Sequence, residues 1–473
     1  MQIAFDNTFA RLPASFYAEA TPSVARTPSL IAFNEPLARQ LGIERGEATD
    51  AELAAVFSGA EVPEGARPIA TVYAGHQFGY PVPRLGDGRA ILLGEVVDTG
   101  GQRRDVQLKG SGPTAYSRGG DGRSPLGPVI REYLVSEAMA ALGVPTTRSL
   151  AAVTTGEVVH REQPLPGAVL TRVAASHLRV GTFEYFANQR DLAGLQALLE
   201  YAIARHDPDL KDQPDRALQF FERVAERTLA LVARWWGVGF IHGVMNTDNT
   251  SLSGETIDYG PCAFMDVFRF DQVFSSIDRT GRYRFEHQGP IAIWNLSILA
   301  SCLVPLVDAD EAQAVSRLEQ ALAELPPRFE AQRLAVMTAK LGIADPEPDD
   351  AALVQAFLQY LQDEELDYTN AFRALATELD APGSFRDRWR ARLAKEARPR
   401  EAVVAAMNQV NPVVIPRNHQ IEKAIVEGRA GDFTHFHALA AALRAPYDDR
   451  PELTPFKAPP APDQVVHRTF CGT

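Results

Sequence analysis

The apolar pattern of this chain changes period once, near residue 180, and that change restricts its architecture more than any other feature. Before it, short apolar runs set off by glycine predict strands: Ala90–Val97 and Asp105–Lys109 read as a hairpin turning at Gly100-Gly101, and a second sheet-like stretch runs from Thr146 to Val173. One helix interrupts them. From Pro128 to Gly143, apolar residues fall at Val129, Ile130, Tyr133, Leu134, Ala138 and Leu142, a helical spacing with a proline in its first turn and a glycine at its end.

Beyond the change the spacing is helical, at about 188–206 and 214–236, the latter ending at Gly237. A short loop-and-strand segment at 240–266 follows, then mostly helix to about residue 445, broken at the Pro/Asp-rich Asp345–Asp350. Pro451–Pro462 is expected to cross the surface in extended form, and no internal repeat is present. A length of 473 residues suits about three structural units or one two-lobed enzyme with an extension. The expectation is an α+β bilobal molecule: a β-rich N-lobe over 1–180, a helical C-lobe over 181–445 and a tail over 446–473, with the site in the cleft.

Composition narrows the function. With 45% hydrophobic and 23% charged residues the chain is an ordinary globular protein, not a collagen, coiled coil or disordered polymer. A net charge of −13 argues against nucleic-acid binding by general phosphate attraction. Three cysteines, Cys262, Cys302 and Cys471, are too few for a disulfide framework and favour a reducing compartment. Met1–Pro13 lacks the basic end and apolar run of a secretory signal, so a cytoplasmic protein is expected. Ile291–Val307, interrupted by Asn295, Ser297, Ser301 and Pro305, is shorter than the ~20 apolar residues of a spanning helix and reads as a buried one.

Candidate chemistry lies on both sides of residue 180. Leu85-Gly-Asp-Gly-Arg89 offers Gly86 and Gly88, which let backbone approach a phosphate, and Arg89, which can bind its oxygens bidentately; a tight turn between strands uses the same residues. Lys109 at a strand end and Glu132 early in the following helix could aim a cation at a triphosphate or be two unrelated surface charges. Ser117–Ser124 is too glycine-rich for regular structure: it either folds over a nucleotide through Asp121 and Gly122 or is a flexible connector. Arg172 and Arg179 could clamp a terminal phosphate or form surface salt bridges.

The most informative stretch is Gly239–Asn249, followed by Thr256-Ile-Asp-Tyr-Gly260. Protein kinases place an Asn seven residues after the His of His-Arg-Asp and then Asp-Phe-Gly, because that Asn and the second Asp ligate Mg²⁺ on the phosphates. The interval from His242 to Asn249 is also seven, which makes Asn249 and Asp258 candidate metal ligands. The position of the kinase base holds Val244, which accepts no proton. Glycine loop, Lys109, Glu132, His-to-Asn loop and Asp-Tyr-Gly stand in kinase order, which predicts a protein-kinase-like fold without the usual base.

These motifs resemble the SelO (selenoprotein O, bacterial YdiU) protein adenylyltransferases over nearly the whole chain. The resemblance is carried by Tyr73–Gly79, Leu85–Arg89, Gln107–Arg123, the His242–Asn249 loop and Ile257-Asp-Tyr-Gly-Pro-Cys262. It implies a pseudokinase that binds ATP in reverse orientation and transfers AMP to Ser, Thr or Tyr hydroxyls of proteins. By residue matching, Gly86, Gly88, Arg89, Lys109, Asp121, Gly122, Arg172 and Arg179 would bind nucleotide, with Glu132 pairing Lys109. Asn249 and Asp258 would hold Mg²⁺ or Mn²⁺, and Asp248 would accept the hydroxyl proton, a role burial favours by raising its pKa.

Alternatives of a Mn²⁺-dependent uridylyltransferase, an ordinary phosphotransferase and a non-catalytic nucleotide-binding scaffold stay open. The chain is expected to act as a monomer on protein partners, without nucleic acid or membrane.

Selenocysteine-bearing members carry that residue where Cys471 stands here. A redox disulfide from the tail to the segment after the metal loop is associated with some relatives, but Asp271–Asp278 contains no cysteine. Cys262 is the nearest alternative partner, and a buried inert thiol is its expected role. The seven basic residues of Arg386–Arg400, around Trp389, read as a solvated helix face, and His435 and His437 are assigned no ligand role.

Overall fold

The computed structural model describes residues 1–379 and 383–470. Its early strands are β1 (Tyr17–Glu19), β2 (Ser29–Phe33), β3 (Ile69–Thr71), β4 (Gly75–Gln77), β5 (Tyr80–Val82), β6 (Ala90–Val97), β7 (Arg103–Lys109), β8 (Ser124–Pro125), β9 (Arg148–His160) and β10 (Pro164–Ala174). All but β4 and β5 join one antiparallel sheet in the order β1-β3-β6-β7-β10-β9-β2, with β8 on β10. The separate β4–β5 hairpin stands off this sheet. The helices begin with α1 (Glu35–Gln40), α2 (Asp50–Ser58), α3 (Leu126–Ala141), α4 (Val180–Asn188), α5 (Leu192–His206), α6 (Arg216–Val238) and α7 (Gln288–Val307), and further helices run from Glu311 to Leu443. The molecule is a mixed α+β protein with an N-terminal antiparallel sheet and a C-terminal helical region.

Both faces of the sheet are covered. Residues 1–68, for which no element was expected, supply α1 and α2, whose Leu37, Leu53 and Phe57 pack on the face carrying Val106, Val153 and Val173. On the opposite face α3 lays Ile130, Leu134 and Met139 against Leu92 and Leu170, each buried side chain contributing about 2 kcal/mol. Pairing of Lys109 with Leu170 and of Gln107 with Arg172 puts those side chains on this same face. Here β7 presents Asp105, Gln107 and Lys109 in succession, while Val106 and Leu108 point to the other side. Each polar member is satisfied: Asp105 by His177 and by Arg205 of α5, Gln107 by Arg172, and Lys109 by Glu132 of α3.

Several boundaries differ from the sequence reading, each for a local reason. Helix α3 starts two residues earlier, with Pro128 still in the first turn where its missing N–H costs nothing, and Glu132 falls in the second turn. The helix expected over about 188–206 is α5, which starts four residues later, because Arg190 takes a left-handed φ of 54° and Asp191 caps Gly194 N; α4, which ends at Asn188, was not expected. Gly237 does not end α6. It lies inside the helix, where a Cβ would come 2.7 Å from Val336, and the left-handed terminator is Gly239.

The tail is not extended throughout, because Pro451–Leu453 and Thr454–Lys457 form helical turns opened by proline. The basic run is a solvated face only in part, with Arg388, Lys395 and Arg400 exposed. Trp389 is buried with Nε1 donating to the Leu341 carbonyl at 2.7 Å, and buried Arg392 pairs with Asp350 at 2.7 Å.

The helical segment ending in α7 runs over Phe285–Val307, 23 residues that by length and composition are enough to cross a membrane. The added residues at its start include Glu286, His287 and Gln288, so the apolar part remains close to Ile291–Val307. In this fold α7 packs against α4 and α6, and Asn295 is buried, donating to the Met245 carbonyl and Thr250. The last described residues also reach the site: Thr469 N donates to the Phe274 carbonyl, and Thr469 Oγ1 to the Pro261 carbonyl. Cys262 is buried; Cys471 lies outside the described residues.

Candidate active site

A cavity of about 670 Å³ opens between the sheet and the loops that follow α6, within the usual size of small-molecule sites. Seven basic and four acidic side chains line it, so an acidic protein concentrates positive charge here. Gly86, Gly88, Arg89, Lys109, Asp121, Gly122, Arg172, Arg179, Asp248, Asn249 and Asp258 all lie on its wall, together with Val244. Glu132 does not; it stands buried behind Lys109.

Asp258 is the electrostatic centre. Its Oδ1 accepts from Lys109 Nζ and Arg172 Nη1, both at 2.7 Å, and its Oδ2 from Arg179 Nη1 at 2.9 Å. Burial would raise the pKa of this carboxyl, but Lys109, Arg172 and Arg179 together hold it well below the ordinary carboxylate range. Sheet register makes the cluster possible. It brings Arg172 beside Gln107, which accepts from its Nη2 at 2.6 Å, while Glu132 accepts from Lys109 at 2.6 Å and Arg172 at 3.3 Å. Arg179, just before α4, also donates to the Asp248 carbonyl at 2.8 Å and so ties the two loops together. The Asp258 backbone has a left-handed φ of 62°, unusual for a side-chain-bearing residue but tolerated best by Asp and Asn.

Asp248 is a different kind of carboxyl. It is 8% exposed, its Oδ1 has no hydrogen-bond partner, and its Oδ2 receives only a long 3.3 Å bond from Gln77. Burial pushes its pKa up to about 6, against the opposing pull of Arg179. The β4–β5 hairpin crosses directly over it: His76 N donates to Thr247 Oγ1 at 2.6 Å and Phe78 N to Asn246 Oδ1 at 3.0 Å.

The remaining loop geometry explains the neighbours. Asn249 Nδ2 donates to the Val244 carbonyl at 2.9 Å, which leaves its amide oxygen as the free ligand atom. His242 is buried, which lowers its pKa; with the imidazole neutral, Nε2 donates to the Ile257 carbonyl at 2.9 Å and Nδ1 accepts from Val244 N. It fastens one loop to the other.

The glycines serve the protein itself as well as any ligand. At Gly86 a Cβ would meet the Tyr116 ring at 2.5 Å, and at Gly122 the Gly112 carbonyl at 2.0 Å. Thr114 Oγ1 donates to the Asp87 carbonyl and Ser117 Oγ to that of Gly88, so the two glycine-bearing loops are bound to each other. Asp121 is exposed and paired with Arg161 at 2.9 Å, whereas Arg89 has no carboxylate partner among the described residues.

No group of three His, Cys, Asp or Glu side chains suited to a metal occurs among the described residues. On this wall the Asn249 amide oxygen and Asp248 Oδ1 are open, whereas both Asp258 oxygens are held by Lys109, Arg172 and Arg179; the set suits an ion that takes one or two protein ligands and fills its shell with phosphate and water, the habit of Mg²⁺, with Asp258 available only when those cations turn to phosphate.

Sequence reasoning assigned no role to Tyr73, Gln77, Asp87 or Asn246. Tyr73 lies under Arg179 at 4.6 Å, and buried Asp87 accepts from Thr71 and Gln107. The Tyr73–Gly79 motif was the available signal for the first two.

The family described as protein adenylyltransferase SelO matches residues 1–444. The chain is 52% identical over 487 residues to the protein nucleotidyltransferase YdiU of Rhizobium etli (strain CIAT 652), covering 99% of this chain and 97% of the relative. It is 54% identical over 478 residues to that of Roseobacter denitrificans, covering 99% of each, and 53% identical over 479 residues to that of Ruegeria pomeroyi, covering 100% of this chain and 99% of the relative.

Proposed function

The chain belongs to the SelO/YdiU family of protein nucleotidyltransferases, and from that premise we propose that it transfers AMP from ATP to Ser, Thr or Tyr hydroxyls of acceptor proteins. The observation that carries this reading is Asp248: a buried carboxyl with a free oxygen and a pKa near 6, one residue from Asn249, in a loop whose kinase-base position is Val244.

In this reading the fold is kinase-like, with lobes over 1–180 and 181–445 and a tail over 446–473. ATP lies reversed relative to a kinase, its β- and γ-phosphates toward Arg89, Lys109, Arg172 and Arg179 and its α-phosphate toward Asp248. Asp248 takes the proton as the acceptor oxygen attacks the α-phosphorus; the bond to the β-phosphate oxygen breaks and pyrophosphate leaves. Asn249 and Asp258 would hold a divalent ion, which when bound screens and polarises the phosphate oxygens.

Asp258 occupies the three cations until phosphates arrive. Keeping Lys109, Arg172 and Arg179 aimed at one point spares the site reorganisation when nucleotide binds. The deciding experiment incubates the protein with an acceptor and ATP labelled at either the α- or the γ-phosphate. The expected outcome is α-label on protein and γ-label in pyrophosphate; γ-label on protein would overturn the reading.

A further inference from the structure

Beside the catalytic cavity lies a second hollow of about 630 Å³, and the two share Phe78 and Ile277. Its character is unusual for a chain of net charge −13. None of its lining residues is acidic, while Arg279 and Arg282 both face it. Neither has a carboxylate partner among the described residues. The nearby Asp278 is buried and accepts from the backbone N–H groups of Arg282 and Tyr283, and Glu286 pairs with Arg284. Arg282 rests on Trp294 at 4.7 Å with its Nε buried and unpartnered, and Arg279 is exposed.

The same hollow is flanked by unusually bare apolar surface, with Tyr80 76% and Ile277 46% exposed. Its wall is joined to the catalytic loop, because Phe78 N and Tyr283 OH both donate to Asn246, two residues before Asp248. A polypeptide that brought a hydroxyl to Asp248 would therefore lay its neighbouring residues across Tyr80, Ile277 and Arg279.

We propose that this groove docks the acceptor segment of the substrate protein and selects segments with carboxylate side chains and an apolar residue next to the modified hydroxyl. The inference rests on the adenylyl-transfer reading for what happens at Asp248, but the docking itself is independent of chemistry. Two guanidiniums without a carboxylate partner among the described residues offer charged sites for carboxylates, and the exposed Tyr80 and Ile277 offer apolar contact.

The test uses the full-length protein and two short fluorescein-labelled peptides, each with one tyrosine, flanked by Glu and Leu in one and by Lys and Leu in the other. Fluorescence anisotropy at low salt should find the Glu peptide bound about five-fold more tightly, a preference that shrinks as salt is added. Arg279→Glu should move the preference toward the Lys peptide, a gain that misfolding cannot imitate, and Arg282→Gln should weaken binding of the Glu peptide. Equal binding of the two peptides by the wild type, or an unchanged preference in Arg279→Glu, would overturn the proposal. The α-label assay on the same peptides separates the two readings. Charge-selective binding without label would refute adenylyl transfer and leave the groove standing, whereas label without charge preference would refute the groove.

Discussion

Gly75 and Asp248 approach so closely that no side chain fits between them: a Cβ on Gly75 would stand 2.4 Å from Asp248 Oδ1 and 2.9 Å from its Cβ. The hairpin thereby fixes the carboxyl from above. Gly75→Ala should displace Asp248 and lower kcat for α-label transfer about 100-fold, as misplacement of a reacting group by about 1 Å does, with little change in ATP affinity. Calorimetric ATP titration beside the transfer assay checks it; wild-type kcat in this variant would mean the contact is irrelevant to chemistry.

A base with a pKa near 6 leaves a signature in the rate. Transfer should rise about ten-fold per pH unit below 6 and level off above it, since only the ionised Asp248 accepts a proton. Stability runs the other way. The folded-state pKa is raised above the ordinary 3.8, so protonation favours the folded state and this contribution is lost as pH rises through about 6. Asp248→Asn should therefore abolish transfer yet unfold at higher denaturant than the wild type at pH 8, by up to about 3 kcal/mol, with the difference vanishing near pH 4. A wild-type chain more stable than Asp248→Asn at pH 8 would contradict the assignment of a costly buried charge.

Removing the carboxylate shared by three cations should be harsher than removing a neutral ligand. Asp258→Ala is expected to lower α-label transfer by at least about 100-fold and to destabilise the fold by about 3 kcal/mol, because Lys109, Arg172 and Arg179 lose their common partner. Asn249→Ala should cost transfer only about ten-fold, as it removes no charge. Urea unfolding measures the first quantity and radiolabel incorporation the second. Equal losses of transfer in the two variants would end the ranking.

Val244 separates two explanations of what is transferred. If a missing base were the whole difference from a kinase, Val244→Asp would gain phosphoryl transfer; if the cations hold the β- and γ-phosphates away from the acceptor, it would not. The expected result is no γ-label on protein. Robust γ-label incorporation would refute the reversed nucleotide.

What the sequence disclosed follows from how local each signal is. The β6–β7 hairpin and α3 were legible because alternation and helical spacing act within a few residues. The first 68 residues were not: β1 has three residues and β2 five, and both exist only because β3 and β9 supply their partners. Gly237 misled for a related reason, since a glycine demanded by Val336 of another helix looks in sequence like a glycine that ends its own. The wall of the cavity was legible as motifs, but the grip of Lys109, Arg172 and Arg179 on Asp258 was not. Strand register and the α4 approach bring those residues together across up to 149 positions. The groove at Arg279 and Arg282 was also invisible, because only the packed structure reveals which arginines find no carboxylate among the described residues.

The polar face of β7 ties activity to accurate folding. Asp105, Gln107 and Lys109 alternate with Val106 and Leu108, and both faces of the strand are buried. A slip of one residue would drive the carboxylate and the ammonium into the apolar layer on the other face and take from Arg172, Arg205 and Glu132 the partners they find on this strand, Gln107, Asp105 and Lys109. Such a molecule would be too unstable to accumulate. Misregistered copies should therefore be removed as unfolded protein, and the folded population should be almost uniformly competent.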